Sequence, residues 1–213
     1  MKFYDVGKRL MDLIGSIIAL ILFWPIMVIT AIHIKRVSKD GPVLADIPKR
    51  QGKDGKKFTF YKFRSMIPNA TQWLYDHPEF HEKYKNNNYK IAAEEDPRII
   101  KGGIFMRKYS IDELPQFLNV LKGDMSIVGP RAYYPYEIKE QLEKHPEARQ
   151  HVEALATVKP GITGPWQVSG RSEIGFMERV KMDAEYAKKR SLLYDLGVIL
   201  KTPYVVITKK GAE

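Results

Sequence analysis

The chain has no cysteine. This excludes disulfides, thiolate metal sites and cysteine nucleophiles, and it suits a reducing compartment. Histidine is sparse and scattered, five residues in 213, and no metal cluster is apparent among them. A phosphate-cradling P-loop, a G-x-G-x-x-G fingerprint and a nucleophilic serine elbow are also missing. There is no internal repeat and no low-complexity tract. Acidic residues are outnumbered, 25 against 35 Lys and Arg, for a net charge of +10. Such a balance favours anionic partners: nucleic acid, acidic lipid headgroups or phosphorylated small molecules. The basic residues are spread among flanks and loops and form no recognisable nucleic-acid module, so no nucleic-acid partner is expected.

One stretch lacks charge altogether. Residues 13–34, "LIGSIIALILFWPIMVITAIHI", contain no Asp, Glu, Lys or Arg. As a helix they would span roughly 33 Å, about the thickness of a bilayer core. A cleaved signal peptide does not fit: Asp12 abuts the run, no small-x-small site ends it, and Lys35-Arg36 follow at once. Basic pairs flank both ends, Lys8-Arg9 before and Lys35-Arg36 after, so both ends favour the cytoplasmic side. Pro25 sits near the midpoint and removes a helix hydrogen bond. Two half-helices entering and returning on one face satisfy both flanks, with Asp12 paired to Lys8 or Arg9. A spanning helix kinked at Pro25 is the alternative. Lys8, Arg9, Asp12 and Pro25 are the candidate anchor residues, and the expected division is 1–36 for the inserted segment and 37–213 for a cytoplasmic domain.

Beyond the linker 38–58, which predicts a hairpin at Asp54-Gly55, "KFTFYKFRSM" (57–66) reads as a strand. A period of two puts Lys62 and Arg64 on one face roughly 7 Å apart, a workable phosphate clamp. Residues 68–98 read as a polar insertion with surface helices. Lys122-Gly123 reads as a helix C-cap, followed by a short buried strand "MSIV" and then Gly129-Pro130-Arg131, a stiff turn suited to holding an arginine for phosphate. Residues 136–155 read as a charged helix interrupted near Pro146. In 158–174, Trp166, Gln167 and Arg171 could bind a base and its phosphates, or Trp166 could simply pack in the core. Residues 191–210 suit a core helix or an interfacial amphipathic one.

The stretch "KYSIDELPQ" (108–116) sets Asp112 beside Glu113. Ser110 with Glu113 has the S-x-x-E spacing of a capping box, which would make these ordinary helix-start acids. A helix N-terminus also favours an ionised carboxylate and attracts phosphate, so cap and chemistry are compatible, with Asp112 pointing outward.

"KRLMD", "IKRVSKDGPV", "YKFRSM", "DPRI", "MRKYSIDELPQFLNVLKGDMSIVGPR" and "VKPGITGPWQVSGR" occur in this order. Together they resemble the bacterial sugar transferase family, the monotopic polyprenyl-phosphate phosphoglycosyl transferases, in its minimal form, from about residue 3 to the C-terminus. The chain departs from the family's usual pattern at Trp24-Pro25, at "LADIPKRQGKDG" and at Ala132.

The resemblance implies transfer of a sugar-1-phosphate from a UDP-sugar to undecaprenyl phosphate, with release of UMP and a requirement for Mg²⁺. By the same resemblance Asp112 is the nucleophile of an Asp112–Glu113 dyad that also holds the metal. Lys62, Arg64, Arg107, Arg131, Gln167 and Arg171 are the candidate substrate-binding residues. The expected fold is α/β but mostly helical: a re-entrant membrane hairpin joined to a small catalytic domain with a short sheet and interfacial amphipathic helices. The expected place is the cytoplasmic face of a bacterial inner membrane, among membrane lipids; a homodimer is compatible with the sequence. The rival reading is a non-catalytic membrane-bound scaffold for acidic lipid or nucleotide-sugar.

Overall fold

A computed structural model describes residues 2–86 and 91–208. Helices dominate. α1 (Lys2–Val37) is followed by a two-residue hairpin, β1 (Arg50–Gln51) and β2 (Lys57–Phe58), and by α2 (Ala70–Asp76) and α3 (Pro78–Asn86). Next come α4 (Gly103–Lys108), a 3-10 turn at Ile111–Glu113, α5 (Gln116–Lys122) and β3 (Ser126–Val128). The rest is α6 (Pro135–Lys144), α7 (Arg149–Leu155), β4 (Gly161–Thr163), α8 (Pro165–Ser169), α9 (Phe176–Lys189) and α10 (Leu192–Thr208).

The hairpin forms where Asp54-Gly55 predicts it. Asp54 (φ 53°) and Gly55 (φ 75°) both take the left-handed backbone that such a turn demands. β1 and β2 run antiparallel, with Arg50 opposite Phe58. β3 and β4 pair in parallel, Ser126 with Gly161 and Val128 with Thr163. Gly129 and Gly161 let these backbones meet, since a Cβ on Gly161 would lie 2.1 Å from the Gly129 nitrogen. Gly123 ends α5 at φ 88°, the expected C-cap.

The predicted strand 57–66 is mostly not one. Only Lys57–Phe58 pair in a sheet, and isolated bridges join Phe63 to Leu44 and Met66 to Ile99. The segment is instead threaded between two neighbours. Arg64 N–H donates to the Val43 carbonyl, and Phe63 N–H donates to the Asp112 carbonyl.

α1 runs as one helix through Pro25, where the sequence suggested two half-helices. Its ends are anchored to the same body. Near the start, Arg9 donates to the Val120 and Leu121 carbonyls at 2.6 and 2.8 Å, satisfying the C-terminus of α5. Asp12, buried, accepts from Ser126 Oγ and Ile127 N–H, both at 2.9 Å, and pairs with Lys8 at 3.3 Å. Lys8 also meets the buried Asp195 of α10 at 3.1 Å. Near the end, Ile34 packs with Phe63, Ile100 and Met106. His33 bonds the Lys101 carbonyl at 2.8 Å. The expected pair between Asp12 and Lys8 forms, and Lys8 and Arg9 also engage α10 and α5. Between these attachments Ile17, Ile18, Ile21, Leu22, Trp24 and Ile26 are all exposed. α1 is long and apolar enough to cross a membrane, with a mean hydropathy of 2.5 over an 18-residue window. α10 likewise leaves Leu193, Leu196, Leu200, Tyr204 and Ile207 exposed.

The interior is divided among small clusters. Tyr133, Ile138, Val152, Leu155 and Val180 join α6, α7 and α9. Phe58, Val120 and Met125 hold α5 against the hairpin. The acid turn 110–113 lies between α4 and α5, so its position is set from both sides by Met106, Ile111 and Val120.

Candidate functional site

The turn carrying the acids is not a capped helix start. Ser110 sits at φ 54° and makes no cap with its side chain. The three-residue 3-10 turn passes through Leu114 to Pro115, and α5 begins only at Gln116. Pro115 is tolerated there because the first N–H groups of a helix have no partner in it. The capping box expected from Ser110 and Glu113 does not form. Ser110 Oγ instead accepts from Arg171 Nη2 at 2.8 Å. Arg171 is also left-handed, at φ 52°. Two non-glycine residues in this sparsely populated region, bonded to each other, are a form of strain that clusters at functional sites.

Asp112 points inward, not outward: it is 1% exposed. Its Oδ2 lies 2.8 Å from Lys62 Nζ, which is 3.7 Å from Glu113 Oε1. Burial pushes the Asp112 carboxyl above its usual range. Lys62 pulls it back, Glu113 pushes it up, and Arg107, in the last turn of α4, pulls it down. Glu113 is the open member, its side chain 38% exposed.

Lys62 and Arg64 part company. Without a regular strand the period of two is lost. Arg64 turns away and is buried, its guanidinium donating to the Pro42 carbonyl (2.6 Å), Ser38 Oγ (2.7 Å) and the Ser38 carbonyl (2.9 Å). It locks the chain leaving α1, and the expected Lys62–Arg64 phosphate clamp does not form.

Arg131 leaves its Gly-Pro turn with its N–H donated to Asp183 Oδ2 at 3.0 Å and its guanidinium 3.8 Å from Glu137. The charge of Glu113 also acts on it. Trp166 is buried, with the Arg179 guanidinium 4.7 Å and that of Arg131 5.6 Å from its ring. It is a packed partner for arginines and offers no open face to a base. Gln167 donates to the Ile162 carbonyl at 3.5 Å, while its Oε1 is buried without a partner; so is Arg171 Nη1. Lys62, Arg107, Arg131 and Arg171 therefore lie around the acid turn, Gln167 flanks them on α8, and Arg64 stands apart.

Arg179 and Asp183 were not anticipated. Asp183 occupies the buried stripe of α9 with Val180, Ala184 and Ala187. Burial pushes its carboxyl up to about 7. An acid at a core position of a helical stripe is the one signal that could have drawn attention to it.

Mg²⁺ is satisfied by one or two carboxylates, with phosphate and water completing its shell. Among the described residues no three acidic or histidine side chains form a metal cluster. The pair Asp112–Glu113, with Asp112 Oδ2 buried and ion-paired to Lys62, fits that modest demand.

Fold and site together define a mostly helical protein with one long apolar helix and a half-buried acid pair set among cations. Comparison with known proteins narrows the class. The model of the bacterial sugar transferase family matches residues 3–209, and the chain belongs to that family. It is 41% identical over 218 residues to the galactosyl transferase CpsE of Streptococcus agalactiae serotype III (strain NEM316), covering 100% of this chain and 46% of the relative. It is 38% identical over 213 residues to the undecaprenyl-phosphate galactose phosphotransferase of Salmonella typhimurium, covering 96% and 41%. Against the exopolysaccharide production protein ExoY of Rhizobium meliloti the identity is 33% over 211 residues, covering 97% and 88%. The chain thus spans less than half of the first two relatives and most of the third.

Proposed function

We propose that this protein transfers a sugar-1-phosphate from a UDP-sugar to undecaprenyl (polyprenyl) phosphate, releasing UMP, as the first membrane step in building a glycan. Family membership and the names of the relatives support the reaction class. The observation that carries it to named residues is Asp112, buried, ion-paired to Lys62 and adjacent to Glu113.

A carboxylate nucleophile must be ionised when it attacks. Lys62 supports that state against the burial that opposes it. An Asp112 oxygen attacks the β-phosphorus of the UDP-sugar. The bond from that phosphorus to the bridging oxygen breaks, and UMP leaves with the electron pair. The sugar phosphate, now an acyl phosphate on Asp112, is attacked by an oxygen of the polyprenyl phosphate, which frees Asp112. Arg107, Arg131 and the unpartnered nitrogen of Arg171 offer positive charge to the diphosphate. Asp112 and Glu113 would hold Mg²⁺, which supplies further charge neutralisation for phosphate oxygens.

The fixing of both ends of α1 to one body favours insertion from a single face. A spanning α1 would put its ends on opposite sides of a bilayer core of about 30 Å. Basic flanks at both ends point to the cytoplasmic face of the inner membrane. There the lipid phosphate and the soluble nucleotide-sugar can meet.

The test supplies undecaprenyl phosphate with a panel of UDP-sugars and measures UMP. Without lipid, the wild type should release about one UMP per active site and gain the mass of a sugar phosphate in intact-protein mass spectrometry. Asp112→Asn should do neither. Normal turnover by Asp112→Asn would remove this residue as the nucleophile.

A further inference from the structure

Among the described residues, the cations around the acid turn supply charge for phosphate. Trp166, the aromatic expected to bind the base, is buried between two arginines. Another aromatic lies beyond the Arg131 turn. The Arg50 guanidinium stands 3.3 Å from the centre of the Tyr134 ring. The other partner of Tyr134 is Tyr136, stacked at 5.0 Å with only 15° between the planes. Tyr136 is 51% exposed. The result is a short column, Arg50, Tyr134 and Tyr136, capped by a tyrosine open to solvent.

This column is built rather than incidental. Arg50 is fixed from below by its bond to the Ala132 carbonyl at 3.0 Å. Tyr134 N–H donates to Glu137 at 3.4 Å, and the same Glu137 faces Arg131 at 3.8 Å. Pro135 stiffens the step between the two tyrosines and opens α6. The rings therefore follow directly on the turn that presents Arg131. Tyr134 and Tyr136 follow Arg131 by three and five residues in the chain.

We propose that Tyr136, backed by Tyr134 and Arg50, is the stacking platform for the uracil of the nucleotide-sugar. The inference rests on the function proposed above and adds the base subsite to it. A half-exposed, electron-rich ring stacks on a flat pyrimidine, and the guanidinium behind Tyr134 stiffens the column. A phosphate chain leading from the base toward Arg131 brings the β-phosphorus to the acid turn. The ring recognises a flat face and not a particular sugar, so this subsite is common to every UDP-sugar the enzyme accepts.

The experiment measures inhibition by UMP and by pyrophosphate, together with KM for the UDP-sugar and for undecaprenyl phosphate, in wild type, Tyr136→Ala and Tyr136→Phe. Loss of base stacking should weaken UMP about tenfold or more and raise the UDP-sugar KM by a similar factor. Pyrophosphate inhibition and the lipid KM should stay as in the wild type. Tyr136→Phe keeps the ring and should restore UMP binding to within about threefold. Unchanged UMP inhibition in Tyr136→Ala overturns the proposal. So does an equal loss for pyrophosphate, which would mean a general disturbance of the site. A KM that shifts with the sugar while UMP is unaffected would make the ring a sugar platform instead, and also overturns it. A wild type that neither binds nor releases UMP would refute the proposed reaction itself. A wild type that does both, beside a Tyr136→Ala that binds UMP normally, refutes only the platform.

Discussion

Replacing Lys62 by Met tests the core of the site, because it removes a charge while keeping much of the volume. Asp112 is 1% exposed and its pair to Lys62 measures 2.8 Å. Removing one partner of a buried ion pair leaves the other charge uncompensated, at a cost of about 3–5 kcal/mol. The Lys62 side chain is 23% exposed, so water can enter beside the acid and the low end of that range applies. Without its Lys62 partner the ionised fraction of Asp112 at neutral pH should fall. Turnover should fall with it. The sign is definite: burial already raises the acid, and without Lys62 it rises further, so the acid limb of the kcat/KM profile moves to higher pH and activity partly recovers in alkali. Steady-state UMP release across pH, with folding checked by thermal melting, is the assay. Adding Asp112→Asn to Lys62→Met should recover much of the lost stability, since no buried charge is then stranded. A folded Lys62→Met protein whose acid limb has not moved would refute the reasoning.

Arg64→Lys should cost stability more than binding, because its fork bonds Ser38 and Pro42; a UDP-sugar KM raised tenfold with an unchanged melting temperature would return Arg64 to the substrate. Asp183 has a folded-state pKa raised to about 7, so its burial favours stability at low pH, and that advantage is lost as pH rises from about 4 to about 7. Asp183→Asn keeps an acceptor for the Arg131 N–H and should gain on the wild type in denaturant midpoint across that window; a constant difference across pH would refute the assignment. Single cysteines at positions 2 and 39, in a chain without native cysteine, should both be shielded from a membrane-impermeant label in intact cells. Labelling at position 2 alone would establish a spanning α1.

How much of this was legible beforehand depended on whether the cause was local. The apolar run 13–34, the Asp54-Gly55 turn, the Gly123 cap and the break near Pro146 were all readable, because each reflects residue chemistry over a few neighbours. The ordered motifs that resemble a sugar transferase are likewise a property of the chain itself, and they led to the family that the comparison shows. The S-x-x-E spacing misled, because the backbone at Ser110 is left-handed and its hydroxyl is taken by Arg171, 61 residues away. The alternation of Lys62 and Arg64 failed because that segment pairs with no long strand; tertiary neighbours turned one toward Asp112 and the other toward Ser38. Lys8, Arg9 and Asp12 looked like interface charges, yet α5, β3 and α10 claim them. The identity of the acids was written in the sequence. Which acid is buried, which cation faces it and which arginines surround it were decided only by the packing, since burial and ion pairing depend on groups far apart along the chain that only the folded protein brings within a few ångströms.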